Sequence, residues 1–181
     1  MSYLRSNPSA TLIDAMGMVP DVAAPLHEFA EAAMRGDAPL SAIDRELIAA
    51  RVSHANGCEF CRDSHGAAVH ELGGDPQTVQ DVIHAGTPQS RPDLAPLLAY
   101  IDKLNAAPSS ITQADVDAVL DAGWSEQALT YAILSCGYFN LMNRWVEGLG
   151  IPSDDATVRM AGRMLAEQGY QGIASMLKSA A

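Results

Sequence analysis

Apolar residues recur along most of the chain at spacings of three and four, and strict apolar–polar alternation is nearly absent. Positions i, i+3, i+4 and i+7 share one face of a helix, whereas a half-buried strand alternates, so the pattern predicts an all-α protein. Pro20 and Pro25 bracket the start of a first helix, and "APLHEFAEAAMRG" carries it towards Gly36. "PLSAIDRELIAARVSHANG" predicts a second, with Ser41 as N-cap and Asp44 three residues on as its capping-box partner. Ile43, Leu47, Ala50 and His54 fall on a common face, and Asn56-Gly57 is a turn dipeptide that ends the run. A third helix is expected from about Cys58 to Leu72, closed by Gly73-Gly74, and Pro76 opens a fourth over "PQTVQDVIHAG". "TPQSRPD" reads as a loop. "LAPLLAYIDKLNAA" and "TQADVDAVLDAG" are a fifth and a sixth helix, with Thr112 as cap of the latter. "SEQALTYAILSCGYFNLMNRWVEGLG" is long and apolar, with a break expected near Gly137. The segment from Asp154 onward is a further helix, with a break expected at Gly169.

The stretch "ELIAARVSHANGCEFCRDSHGAAVHELG" and the later "EQALTYAILSCGYFNLMNRWVEGLG" share an order of acid, apolar helix, glycine, helix and Leu-Gly. The echo reads either as a duplication or as chance similarity between two helical hairpins. A chain of 181 residues suits one domain, expected over 1–181. Alanine is abundant and aromatics make up only 6% of residues, which fits closely packed helices.

The formal charge of −11 argues against nucleic acid and against an anionic membrane as partner, because both need clustered Lys and Arg. "MSYLRSNPSA" at the start lacks the apolar stretch of a signal peptide, and no apolar run approaches a membrane span. The cytoplasm is the expected compartment. Three cysteines are too few for a secreted disulfide framework, and in a reducing compartment a C-x-x-C suggests redox chemistry or metal binding. Cys136 lies in the apolar "AILSCGYF" and is expected to be a small buried hydrophobe.

The candidate chemistry sits in "ANGCEFCRDSHG". Cys58 and Cys61 occupy the expected first turn of the third helix, where free backbone N–H groups and the helix dipole favour a thiolate. Two cysteines three apart there can also reach disulfide geometry with modest adjustment. The segment can therefore both form a thiolate and trap an oxidised product, two abilities that peroxide reduction needs. His65 follows Cys61 by four residues, on the same stripe, and can accept its proton directly or through water. Glu46, on the preceding helix, is the candidate to orient His65 if the two helices return antiparallel. The bland alternative for Glu46 is a solvated carboxylate near Arg45 or Arg51. His54, Cys58, Cys61 and His65 also form H-x3-C-x2-C-x3-H, but the turn separates His54 and the ligands lack the usual long spacer, so no metal is expected.

Elsewhere, Tyr138, Phe139, Leu141 and Met142 either line a small pocket near the thiols or are plain core. Arg144 reads as a helix-interface salt bridge, with an approach to a substrate channel as the alternative, and Trp124 and Trp145 read as core or subunit-interface residues. His27, His70 and His84 are assigned no role. No phosphate-binding loop, dinucleotide fingerprint or haem-attachment motif occurs, and no organic cofactor is expected, because cysteine can carry the electrons.

"RELIAARVSHANGCEFCRDSHGAAVHELG", Arg45 to Gly73, resembles the alkylhydroperoxidase D-like and carboxymuconolactone decarboxylase family. Redox members carry a glutamate twelve residues before a C-x-x-C-x-x-x-H, and Glu46, Cys58, Cys61 and His65 stand at those spacings. "FNLMNRWVEGLG" is similar to a segment of the peroxidase-related subgroup. The resemblance implies an AhpD-like helical fold with the C-x-x-C at the start of a core helix and the redox core at about residues 40–90. It implies that Cys61 is the peroxidatic thiolate, Cys58 the resolving partner, and His65 with Glu46 the proton relay. The implied activity is reduction of hydrogen peroxide or small organic hydroperoxides. An external dithiol, a thioredoxin-like protein or a lipoyl protein would be the reductant, and the protein would be a homo-oligomer. Phe60 stands where some redox members have a histidine, so one relay group of the pattern is missing. Decarboxylase-like acid–base chemistry by His65 and Glu46, and a non-catalytic redox-sensing protein, are the competing readings.

Overall fold

Pro20 supplies a helical φ and lacks the N–H that a first turn leaves unpaired, so α2 (Pro20–Arg35) starts there, and Pro25 sits inside the same helix. Before it lies a short helix, α1 (Leu12–Gly17), closed at its start by a Thr11–Asp14 capping box. The computed structural model describes residues 1–180, and the described residues contain no strand. The Ser41–Asp44 capping box opens α3 (Ala42–Ala55), and α4 (Glu59–Glu71) follows across the Asn56-Gly57 turn. Gly57 takes φ +74°, the left-handed conformation that glycine adopts without steric cost. Then come α5 (Pro76–Ala85), α6 (Leu94–Ala106), a 3₁₀ turn (Pro108–Ser110) and α7 (Gln113–Asp121). The chain ends with α8 (Glu126–Gly148), α9 (Asp155–Gln168) and α10 (Gln171–Ala180).

Helices α3 and α4 form the central antiparallel pair. α8 packs on α3, α9 lies along α4, and α10 lies along α2. Leu40, Leu47, Ile48, Leu94, Leu97, Leu98, Ile101 and Phe139 are fully buried between them and form the main core. α3 is buried on nearly every side, so polar residues enter the core with it: Asp44, Arg45, Glu46 and Ser53 are all buried. Each finds partners. Arg45 donates to the carbonyls of Ala33 (2.9 Å) and Gly36 (3.0 Å), and Arg51, in the C-terminal half of α3, clamps Asp102 of α6.

Two sequence expectations are corrected. α8 runs unbroken through Gly137, which faces solvent and has the helix's packed face on either side of it. The second half of the sequence echo is therefore one continuous helix, whereas the first half is the α3–α4 hairpin. Among the described residues Arg144 makes no salt bridge between helices; it is exposed and donates to the backbone and side-chain oxygens of Asn140, one turn back in α8. The expected break at Gly169 is present: it ends α9 with φ +61°.

The candidate redox site

The α3–α4 turn is pinned before any chemistry begins. Asn56, the C-cap of α3, donates to Asn143 of α8 (2.9 Å) and accepts from Asn105 of α6 (2.9 Å), and Asn143 in turn donates to Ser53 (2.9 Å). This amide network fixes where α4 starts. Cys58 is the N-cap residue in extended conformation, and Cys61 lies in the first turn, where backbone N–H groups have no helical partner. Both cysteines are buried free thiols.

Cys58 lies in a small apolar cluster with Ala15 of α1, Val146 of α8 and Ile151. The neighbouring Cys61 thiol, and then burial, push its pKa far above the ordinary thiol range. Cys136 is buried away from this pair, and burial pushes it up to about 11.

One turn beyond Cys61, His65 places Nδ1 2.5 Å from Glu46 Oε2. Glu46 is fully buried and takes three partners. Arg35 Nη2 donates to Oε1 at 2.6 Å, the Tyr170 hydroxyl donates to Oε1 at 3.1 Å, and His65 takes Oε2. Burial acts to raise its pKa, but His65 and Arg35 together outweigh it and hold the carboxyl below its usual value. An ionised carboxylate only accepts, so Nδ1 of His65 carries the proton and Nε2 is the nitrogen left for exchange. The Arg35 guanidinium also lies over the Tyr170 ring, 5.2 Å from its centre, and donates to the Leu165 carbonyl. His65 rests edge-on against Phe139, with ring centres 4.3 Å apart.

Cys61, Ser64 and His65 open onto a cavity of about 330 Å³. Its other walls come from α1, α2, α8, α9 and α10, and include His27, Tyr138, Phe139 and five methionines. His27 Nδ1 donates to the Ala23 carbonyl (2.8 Å), and burial lowers its pKa, so it sits there neutral. Cys58 does not line the cavity.

The four residues singled out from the sequence thus lie in one place, three of them in α4 or its cap and Glu46 in α3. Glu46 is not solvated, and its basic partner is Arg35 rather than Arg45 or Arg51. Of the apolar patch in α8, Tyr138, Phe139 and Met142 line the cavity, while Leu141 is exposed on the far face. His54 turns towards His84 (ring centres 5.6 Å apart), and among the described residues no three His, Cys, Asp or Glu side chains are placed to hold a metal. Arg35, Ser64 and Tyr170 were not found from the sequence. A buried glutamate requires a counter-charge, which is the signal for Arg35 in the last turn of α2; nothing local marks Tyr170.

Residues 20–91 match the model of the carboxymuconolactone decarboxylase family. Sestrin-2 of Homo sapiens and of Pongo abelii are each 29% identical over 146 residues, 78% of this chain and 29% of theirs. The chain therefore spans about three tenths of the length of these curated relatives. An uncharacterized peroxidase-related protein from Silicibacter sp. TM1040 superposes with a TM-score of 0.74 at 25% identity, over 81% of this chain and 78% of its own. The fold is shared with the alkylhydroperoxidase AhpD core of an uncharacterized peroxidase-related protein from Ralstonia eutropha JMP134, with a TM-score of 0.74, 23% identity, and 82% and 78% of the two chains covered. The Cys58–Cys61 pair at the head of a core helix, the match over α2 to α5 and the shared helical architecture lead to one conclusion: residues 20–91 are similar to the carboxymuconolactone decarboxylase family, and the fold is the AhpD-like helical fold of the peroxidase-related proteins.

Proposed function

We propose that the protein is a thiol-dependent peroxidase that cycles Cys58 and Cys61 between dithiol and disulfide. One observation carries the reading: a buried Glu46–His65 pair stands one helical turn from a first-turn cysteine, and that cysteine and the histidine share the wall of one cavity. Cys61 gives its proton to Nε2 of His65, and the helix N-terminus and pinned turn steady the resulting thiolate. The thiolate sulfur bonds to the terminal oxygen of the hydroperoxide as the O–O bond breaks. Cys61 becomes a sulfenic acid, and the leaving alkoxide or hydroxide takes the proton held by His65. Cys58, which keeps its proton until then, attacks the sulfenic sulfur of Cys61, forming the disulfide as its thiol proton and the sulfenic hydroxyl leave as water. An external dithiol restores both thiols by exchange and leaves as its own disulfide. Because Cys58 is buried beside α1 and the end of α8, that exchange requires these segments to part.

Acid–base chemistry on a carboxylated lactone fits less well. Among the described residues, the cavity wall carries no Arg or Lys side chain to receive a carboxylate.

Peroxide consumption in excess dithiol tests the proposal. Native protein is expected to turn over, and Cys61→Ser to lose at least about 100-fold in rate, since no other group on the wall is a comparable nucleophile. A fully active Cys61→Ser protein would overturn it.

A further inference from the structure

We infer that residues 1–17 form a hinged cover over Cys58, and that the opening of this cover controls how fast the Cys58–Cys61 disulfide is reduced. The inference rests on the dithiol–disulfide cycle proposed above and names what regulates its recycling half.

The first observation is how the cover is attached. Among the described residues, the hydrogen bonds of residues 1–17 stay within the segment or reach the joint at Met18 and Val19, with one exception: the Tyr3 N–H donates to the Leu149 carbonyl (2.8 Å). The Tyr3 ring lies against Gly150, where a Cβ would come within 2.7 Å of it. The rest of the attachment is apolar, through the buried Ala10, Ala15 and Met16. A six-residue helix does not persist alone in water, so α1 keeps its shape only while it is seated. Met18 and Val19, which join it to α2, are exposed, and Val19 caps α2 without a side-chain hydrogen bond. The segment can therefore lift as a unit about that joint, and only one hydrogen bond to the body breaks.

The second observation is what lies beneath. Leu12 and Ala15 belong to the cluster that encloses Cys58, which is 1% exposed. Leu12 also lines the cavity that holds Cys61, so one short element closes over both sulfurs. The opposite wall of Cys58 is Val146 and Ile151, at the end of α8. That wall is fixed. Val146 is fully buried, and Asn143 just before it is bonded to Ser53 and Asn56 (both 2.9 Å). Withdrawing α8 would undo the turn that places both cysteines, so the cover is the wall that yields.

With the cover open, a thiolate of the external dithiol bonds to the Cys58 sulfur. The Cys58–Cys61 bond breaks, and its electron pair leaves on Cys61 as a thiolate. The second thiol of the reductant then attacks the mixed disulfide; its two sulfurs join, and Cys58 leaves with the proton that thiol gives up.

The test uses the full chain oxidised with diamide, so it does not depend on peroxide. Reduction by dithiothreitol at fixed pH is timed by acid quenching, alkylation and mass, and amide exchange is followed in the same oxidised protein. If both need one open form, both rates scale with its population. Asp14→Ala breaks the capping box of α1 and should speed exchange at residues 15–18 and disulfide reduction alike, by roughly 2–10-fold. Gly17→Ala acts in the other direction: a Cβ there meets no atom within 4 Å, and both rates should fall by roughly 2–5-fold. Exchange in α3 and α4 should stay the same in both variants. Altered exchange at residues 15–18 with an unaltered reduction rate would overturn the cover's role, as would the two rates moving in opposite directions. Failure of diamide to form the disulfide would overturn the cycle and the cover together. Matched changes in a protein that consumes no peroxide would overturn the peroxidase reading and leave the cover standing.

Discussion

At the scale of single residues, the site is an arrangement of one buried carboxylate. Glu46 makes no contact with water, and its charge is balanced by Arg35 on one oxygen and His65 on the other. Removing the charge strands a guanidinium that is itself mostly buried. Glu46→Gln is expected to destabilise the fold by about 3 kcal/mol, the low end for breaking a buried pair, because Arg35 keeps some solvent. Its pH signature separates this from a generic packing defect. The folded-state pKa of Glu46 is depressed, so its stabilisation is complete above the ordinary carboxylate value and is lost as pH falls through the folded one. Denaturant melts from pH 7 down to about pH 3 should therefore show a steeper acid loss in the native protein than in Glu46→Gln. Parallel curves would mean that Glu46 is not ionised in the fold. Cys58, Cys61, His65 and Glu46 were legible in the sequence because three share one helical stripe and the fourth stands one hairpin arm away. Arg35 and Tyr170 were not, since their approach to Glu46 depends on how α2 and the α9–α10 corner settle on α3.

At the scale of helices, capping boxes at Ser41 and Thr112 and prolines at first-turn positions made most boundaries readable. α1 was missed because six residues are too few to display a helical period. The break expected at Gly137 failed for a physical reason: one glycine costs a helix about 1 kcal/mol, and the packed face of α8 on both sides outweighs it. Two glycines then make opposite predictions. Gly162 brings α9 against α4 so closely that a Cβ there would lie 2.5 Å from Ala67 Cβ and 2.9 Å from its carbonyl carbon. Backbone cannot yield as a side-chain tip can, so Gly162→Ala should push α9 outward and cost about 1–3 kcal/mol. The thermal midpoint should drop by roughly 2–4 °C per kcal/mol. Because α9 carries Met160, Ala161, Met164 and Leu165 of the cavity wall, reaction at Cys61 should slow as well. Gly137 has no atom within 4 Å of such a Cβ, and Gly137→Ala should stabilise by about 0.5–1 kcal/mol. A Gly162→Ala protein as stable as the native one would show that α9 has freedom the packing denies it.

At the scale of the whole molecule, a helical hairpin readable from one short stretch becomes a closed site only when both ends of the chain return to it. α1 and α10 each supply walls of the cavity, and Tyr170 reaches Glu46 across 124 positions of sequence. The return of α10 is held by Glu31 of α2, whose Oε2 accepts from the backbone N–H groups of Tyr170 (2.7 Å) and Gln171 (2.9 Å). A carboxylate at that position satisfies two of the N–H groups a helix start leaves unpaired and complements its dipole. Gly169 makes the approach possible: it has a positive φ, and a Cβ there would lie 2.4 Å from that same oxygen. Beyond the cap, Ile173, Ala174 and Leu177 bury against the rest of the fold, and Lys178 pairs with Glu28. Glu31→Ala should therefore loosen α10 by about 1–2 kcal/mol without unfolding α3 and α4, which do not use this contact. Amide exchange in residues 172–179 should rise by a factor of roughly 5–30, with that of α3 and α4 nearly unchanged. As α10 carries Ile173 and Met176 of the cavity wall, iodoacetamide should reach Cys61 faster in Glu31→Ala at the same pH. Faster exchange in α10 with an unchanged rate at Cys61 would mean that reagents reach the cavity by a route that does not involve α10.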